Sequence, residues 1–450
     1  MSEYQTSLFL FRRDLRLADN TALNAALRFS AQVIAGFVLD ERQIQPHPYQ
    51  SQPALQFMRE SLAELAVQCK AIGAELSLFQ GLPSQVIEDL HKQHAIQAVF
   101  FNRDYSPFSR QRDYEIGTVC QQLGITLHIL PDALLTEPEQ AVKHDGSAYK
   151  VFTAFYNNAK QLPVVLPEAL VAGRFLTVQT NATLETLGGA EKAVVPGGRT
   201  AGLARLAQLA NCTDYAVQRD FPALSATSQL SAHLKFGTVS VREAYHAIKR
   251  QLGEGHPLLR QLYWRDFLTH IAYHFPKVFG HAFIDKFDTL VWDNDHGKFQ
   301  AWADGKTGFP IVDAGMRELN ATGFMHNRVR MITASFLVKD LRISWRWGER
   351  YFAQHLVDYD PCVNNGNWQW AASTGCDAQP YFRIFNPWLQ QQKFDPQGDY
   401  LYQWLPELRK VPIKTIHQWE QKHYGDFYPA PIVKHSEAVA VTKARYKAAE

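Results

Sequence analysis

Tryptophan is absent from the first 263 residues of this 450-residue chain, and all ten fall at Trp264 or beyond. So uneven a distribution excludes one uniform domain. The length allows two or three, and a 46 % apolar content is ample for their cores. Cysteine is scarce: Cys69, Cys120, Cys212, Cys362 and Cys376 include no CxxC pair. This argues against a disulfide framework or a structural zinc, so reduced thiols, a cytoplasmic protein and no metal are expected. No run reaches the roughly 18–20 apolar residues of a membrane span. The opening MSEYQTSLFLF has no basic segment, which argues against a secretory signal and for a protein without a membrane. No glycine-rich GxGxxG or GxxxxGK[ST] follows any strand-like run, so a dinucleotide or triphosphate is not held in that manner. Net charge is only +2, but residues 1–135 carry 11 basic and 14 acidic side chains against 35 and 30 beyond them. A basic excess in the Trp-rich part permits a polyanionic partner without requiring one.

What is present divides the chain into three. Apolar runs at 7–11, 32–39, 76–80, 96–101 and 126–130 predict buried strands, and helical periodicity occupies 53–72, 83–93 and 109–123 between them. This alternation predicts a doubly wound α/β domain with a parallel sheet over 1–131. Pro131, Pro138, Pro163, Pro167 and Pro196 punctuate a connector over 132–198 with one helix near 151–160. Helical spacing then dominates 200–210, 240–252, 258–275, 310–321, 326–341 and 347–356, giving an all-α domain over 199–450.

Three segments of the helical part concentrate polar groups that are costly to bury. Residues 323–341 set His326, Asn327, Arg328 and Arg330 at the start of an apolar helix, suited to an anion or to a plain solvated cap. Residues 357–387 carry Asp358 and Asp360 around Tyr359, then Asn364-Asn365-Gly366, which predicts a tight turn, then Trp368 and Trp370. Residues 214–245 cluster Thr227, Ser228, Gln229 and Ser231, hydroxyls and amides that suit phosphate oxygens or simply cap the next helix.

Together with FRRDLRLADNTAL (11–23), QLYWRDF (261–267) and GKTGFPIVDAGMRELNATGFMHNRVRMITASFLVKDL (305–341), these segments resemble the photolyase–cryptochrome family in order and over nearly the whole chain. The likeness is greatest to bacterial class I cyclobutane pyrimidine dimer photolyases. It implies FAD in the helical domain and light-driven splitting of pyrimidine dimers in UV-damaged DNA, by a monomer. Carried over by position, it implies FAD contacts at Tyr215, at Thr227, Ser228, Gln229, Leu230 and Ser231, and at Arg265, Arg330, Asp358, Tyr359 and Asp360. Asn364 then faces flavin N5. Lesion and DNA contacts fall on Arg219, Gln261, Trp264, Asn327, Arg328, Met331 and Trp370. Trp368, Trp345 and Trp292 fall on an electron-transfer triad running outward from the flavin. Trp302, Trp347, Trp388, Trp404 and Trp419 keep a core-packing role.

The chain departs from the family in four places. Gln229 replaces a usual Arg at the phosphate turn, and Leu258 a frequent Trp. Gln261 stands where dimer photolyases carry Glu; it donates a hydrogen bond but no proton, which implies a weakened catalytic step. Glutamine there also fits the (6-4) photolyase branch, whereas Asn327 is the dimer-type residue. Phe108 and Ser109 replace the pair that holds a folate antenna, while Asp104 keeps one acidic position of deazaflavin binders. The antenna is thus a deazaflavin, a folate, a flavin or none. A cryptochrome-like blue-light receptor is the alternative activity, disfavoured by Asn364 and by the absence of a long tail after 435.

Overall fold

The computed structural model describes residues 2–188, 194–224, 226–421 and 426–449. Its first five apolar runs form one sheet. β1 (Tyr4–Phe11), β2 (Ser30–Leu39), β3 (Leu76–Gln80), β4 (Ala98–Asn102) and β5 (Thr126–Leu130) lie in the order β3-β2-β1-β4-β5. Every neighbouring pair is parallel. Alternation along β1 sends Leu8 and Leu10 into a core with Ile34, Phe79, Val99 and Phe101. Phe9 and Phe11 enter the opposite core with Val33, Ala35 and Phe37, so both faces are apolar, as crossover helices require. Those helices span Thr21–Phe29, Gln52–Ala71, Pro83–His94 and Pro107–Leu123. The side chains of Asn20, Ser51 and Ser106 cap three of them by accepting from Leu23 N, Ala54 N and Ser109 N. Strand order reverses between β1 and β4, so the carboxyl ends of these two strands open the crevice where such sheets place their functional groups.

Between 131 and 198 regular structure is sparse. A helix spans Phe152–Ala159, a 3-10 turn spans Leu184–Leu187, and Phe175 bridges to Val33 in β2; residues 189–193 lie outside the described residues.

Beyond this the described residues contain helices and no named strand. Two sequence expectations need correction. The expected continuous helix over 326–341 is α-helical at Asn327–Ser335 and widens to a π turn at Phe336–Asp340. There the buried Lys339 sends its Nζ to Ser373 Oγ at 2.9 Å and to Ala372 O at 3.3 Å, while Thr442 takes its carbonyl. The expected tight turn at Asn364-Asn365-Gly366 is instead the middle of the helix Pro361–Ala372. Turn propensity yields to tertiary contacts: Asn364 donates to Glu349 O, Asn365 donates to Val278 O and Glu349 Oε1, and Gly366 packs so closely that a Cβ would lie 2.6 Å from Leu268 Cδ2.

Trp302, Trp388 and Trp419 are buried in the large core of the helical part, and Trp347 and Trp404 pack half-buried against it.

Candidate functional site

The crevice beyond β1 and β4 is crossed by an ionic bridge into the helical part. Arg13, just past β1, donates from Nη1 to Asp104 Oδ1 at 2.9 Å and pairs through Nη2 with Asp360 Oδ2. Asp360 Oδ1 meanwhile accepts from Cys362 N at 3.0 Å and Val363 N at 3.1 Å, capping the helix that carries Asn364, Trp368 and Trp370. Burial alone would push the Asp360 carboxyl up, but Arg13, Lys235 and Arg265 hold it below the usual carboxylate range. The cost falls on Lys235, whose ammonium is brought down to about 8 by burial and by the charge of Arg13. Alongside, Asp132 joins Arg16 at 2.6 Å and Arg242 at 2.7 Å. Sequence reading gave Asp360 to the FAD pocket and Asp104 to the antenna position, and did not bring the two together. Arg13 was visible merely as part of a motif, because its partners lie 91 and 347 residues away.

Phe108 and Ser109, at the antenna position, are engaged by the chain itself. The Phe108 ring lies 5.1 Å from the Arg42 guanidinium and 5.8 Å from that of Arg112, and Ser109 Oγ donates to Asp104 Oδ2 at 2.7 Å.

The polar turn expected to meet a pyrophosphate has groups to spare. Gln229 adopts φ +51°, and the helix Ser231–Phe236 begins at Leu230 without a side-chain cap, contrary to the plain capping reading. Among the described residues the side chains of Thr227, Ser228, Gln229 and Ser231 hydrogen-bond to nothing else in the protein. Uncapped amides beside free hydroxyls are a donor set for phosphate oxygens, so these residues fit FAD. Gln229 and Ser231 also line a cavity of about 190 Å³ with Arg205, Glu318, Phe324 and Val357. Next to it, Arg330 grips Asp358 with both Nη atoms, at 3.1 and 3.0 Å. Tyr215 is buried with Arg219 over its ring, and Tyr359 stacks on Tyr49. Arg265 is committed to the carbonyls of Ala133 and Leu234.

All the residues expected at a lesion except Arg219 come from three helices, with Pro257–His274 and Asn327–Ser335 each packed on Pro361–Ala372. Gln261 and Trp264 are both half-buried; Gln261 Nε2 reaches back to Pro257 O at 3.4 Å. One face of Trp264 is covered by Phe152, with ring centroids 3.6 Å apart and planes at 8°. Phe152 was missed from the sequence, where it reads only as an apolar position of a short helix. Asn327 is exposed and its amide points to Met331 Sδ at 3.7 Å, while Trp370 leans on Phe385. Arg219 and Arg328 meet at a second missed residue, Asp220, whose Oδ1 pairs with Arg328 Nη2 at 2.8 Å and lies 3.8 Å from Arg219 Nε.

Of the three tryptophans expected to carry electrons, Trp368 is 2 % and Trp345 1 % exposed, while Trp292 is half-buried. Trp368 meets Phe352 edge-on at 4.9 Å and Trp302 at 6.3 Å. Its indole fills the space over Gly348, where a Cβ would collide with the ring and sit 2.6 Å from Leu337 Cδ2.

Glu349 lies one residue past that glycine. Burial pushes its carboxyl up to about 7, against a single hydrogen bond from Asn365 Nδ2 at 2.9 Å. A carboxyl raised in the folded state contributes stability below its unfolded value, and this is lost as pH rises through about 7. A Glu349→Gln variant is therefore expected to gain on the parent protein between pH 5 and pH 8. Urea unfolding at the two pH values measures the gain; an equal difference at both would refute it.

A parallel α/β sheet is thus tied to an all-helical body that carries a donor-rich turn and buried tryptophans. Family comparisons extend this: residues 7–170 match the model described as DNA photolyase, and 258–448 that of the FAD binding domain of DNA photolyase. The deoxyribodipyrimidine photo-lyase of Escherichia coli is 40 % identical, over 99 % of each chain. An archaeal photolyase from Sulfolobus tokodaii, solved with two FAD molecules, superposes with a TM-score of 0.91 at 43 % identity over 99 % of this chain and 100 % of its own. A cryptochrome from Synechocystis gives 0.89 at 31 %, over 99 % and 100 %. The chain belongs to the DNA photolyase family. No helix among its described residues is long and apolar enough to cross a membrane.

Proposed function

We propose that the chain repairs cyclobutane pyrimidine dimers in DNA, using light and bound FAD. The observation that carries this reading is that the helix bearing Gln261 and Trp264 and the helix bearing Asn327, Arg328 and Met331 both pack on the one bearing Asn364 and Trp370, in a chain 40 % identical to a deoxyribodipyrimidine photo-lyase over 99 % of each chain. FAD, when bound and reduced, would supply on illumination the electron for dimer splitting, with no net redox change.

The chain's own residues bind, orient and shield. Thr227, Ser228, Gln229, Leu230 and Ser231 give hydroxyls and amides to the pyrophosphate, while Tyr215, Arg265, Tyr359 and the Arg330–Asp358 pair wall the flavin. Asp360 fixes the start of the helix whose Asn364 faces the ring. A dimer turned out of the duplex rests against Trp264 and Trp370, with stacking on the order of 1–3 kcal/mol per base. Because Phe152 occupies one face of Trp264, the lesion uses the other. Gln261 and Asn327 read base edges, Met331 lines the wall, and Arg219 and Arg328, gathered by Asp220, hold flanking phosphates. Trp368, Trp345 and Trp292 pass an electron inward from the surface. We place the sheet domain at 1–131, the connector at 132–198 and the FAD domain at 199–450, and take the protein to act as a cytoplasmic monomer.

Reduced, illuminated protein is expected to convert an oligonucleotide bearing a cyclobutane dimer to intact pyrimidines, read by chromatography, and to leave a (6-4) product untouched. Repair of the (6-4) product alone reassigns the lesion through Gln261. Repair of neither points to a cryptochrome-like receptor.

A further inference from the structure

The stack at Trp264 does not end at Phe152. The Tyr156 ring lies 5.8 Å from that of Phe152 and is inclined by only 17°, so that Trp264, Phe152 and Tyr156 form a ladder of near-parallel rings from the helix Pro257–His274 onto the connector helix Phe152–Ala159. Two cations rest on it. The Arg260 guanidinium lies 5.0 Å from the Phe152 ring and 5.3 Å from Tyr156, and Lys160 Nζ lies 5.3 Å from Tyr156. Both are exposed, and among the described residues neither has a carboxylate within ion-pair distance. This sets them apart from Arg219 and Arg328, which share Asp220.

A guanidinium seated on two rings has already lost much of its rotamer freedom, yet its N–H edges remain open because cation–π contact uses the face. Such a group binds a phosphate at little further ordering cost. Position agrees with chemistry: Arg260 precedes Gln261 by one residue and Trp264 by four, which puts it on the same side of the helix as the lesion-facing indole.

We propose that Arg260 and Lys160, seated on the Phe152–Tyr156 ladder, form an additional contact surface for the DNA backbone beside the flipped lesion, which makes the connector helix part of the DNA interface. This rests on the repair reading above. Each contacted phosphate adds about 0.9 to the slope of log Kobs against log salt for a duplex. Binding of a dimer-bearing duplex, followed by fluorescence anisotropy from low to moderate salt, is therefore expected to give a slope shallower by about 0.9 for Arg260→Ala or Lys160→Ala, and by about twice that for the double variant. Arg260→Lys is expected to retain much of the slope. Tyr156→Leu, which keeps both charges but removes their seat, is expected to weaken binding less than the double variant. Lys70→Ala, on the sheet domain, controls for net charge and is expected to leave the slope unchanged. Flavin absorbance reports folding in each case. An unaltered slope in the double variant, or an equal loss in Lys70→Ala, overturns the proposal. Repair by the unsubstituted protein is measured alongside, so that failure of the repair reading is seen separately.

Discussion

A Trp368→Phe variant is expected to bind FAD yet fail to reduce it under blue light. The indole is almost wholly enclosed, set edge-on to Phe352 and lodged over Gly348. Phenylalanine keeps an aromatic ring there and leaves a void of a few atoms, so the fold is expected to survive at a cost of about 1–3 kcal/mol. What is lost is a ring that readily gives up an electron: neutral indole is oxidised far more easily than a phenyl group. With the innermost carrier gone, the electron available at half-exposed Trp292 has no short path inward. Absorbance of bound flavin during illumination with an external reductant measures this, and loss of at least nine-tenths of the rate is expected. Trp302, 6.3 Å from Trp368, is the one neighbouring indole in ring contact with it among the described residues. If Trp368→Phe still photoreduces and the double variant with Trp302→Phe does not, the path runs through Trp302. If both photoreduce, the triad assignment fails. Repair by chemically reduced protein does not require this path, so the same variant separates inward electron supply from dimer splitting.

Asp360→Ala is expected to be the most damaging single substitution at the site. One carboxylate caps the helix of Asn364 with one oxygen and pairs with Arg13 of the sheet domain with the other, while Lys235 stands close by. Its removal strips the cap and leaves two buried cations without their main counter-charge. Breaking one side of such a pair costs about 3–5 kcal/mol. Loss of soluble protein or of bound FAD is expected, with a lowered unfolding midpoint in whatever folds. Asp360→Asn, which keeps an acceptor for the helix amides but not the charge, is expected to recover the cap and only part of the stability. Wild-type-like unfolding of Asp360→Ala would show that Asp104 alone suffices for Arg13.

The sheet was legible because its signals are local. Five apolar runs separated by capped helical segments leave few arrangements, and β1 to β5 fall within a few residues of the runs read from the sequence. The helix periods beyond 199 were equally plain. Locality also explains the failures. Asn364-Asn365-Gly366 carries a strong turn preference, but it is overruled by Glu349, Val278 and Leu268, which meet it from other elements. Phe152 and Asp220 gain meaning only when folding brings them against Trp264 and Arg328, 112 and 108 positions on. The family pattern marked residues expected to meet a ligand, and it passed over Phe152 and Asp220, which hold Trp264 and Arg328 in place.

The Arg13–Asp360 bridge also sets a timetable for synthesis. Arg13 leaves the ribosome well before its partner in the cap of the Asn364 helix, which follows 347 residues later. At roughly 5–20 residues per second, that interval is on the order of 20–70 s. For that time Asp104 is the one of Arg13's two carboxylate partners that has been made. The nascent chain therefore passes through a stage in which the cationic edge of the sheet has been made but the helix that covers it has not. A chain truncated before residue 360 would retain that edge permanently, open to whatever anion or acidic surface the cell offers.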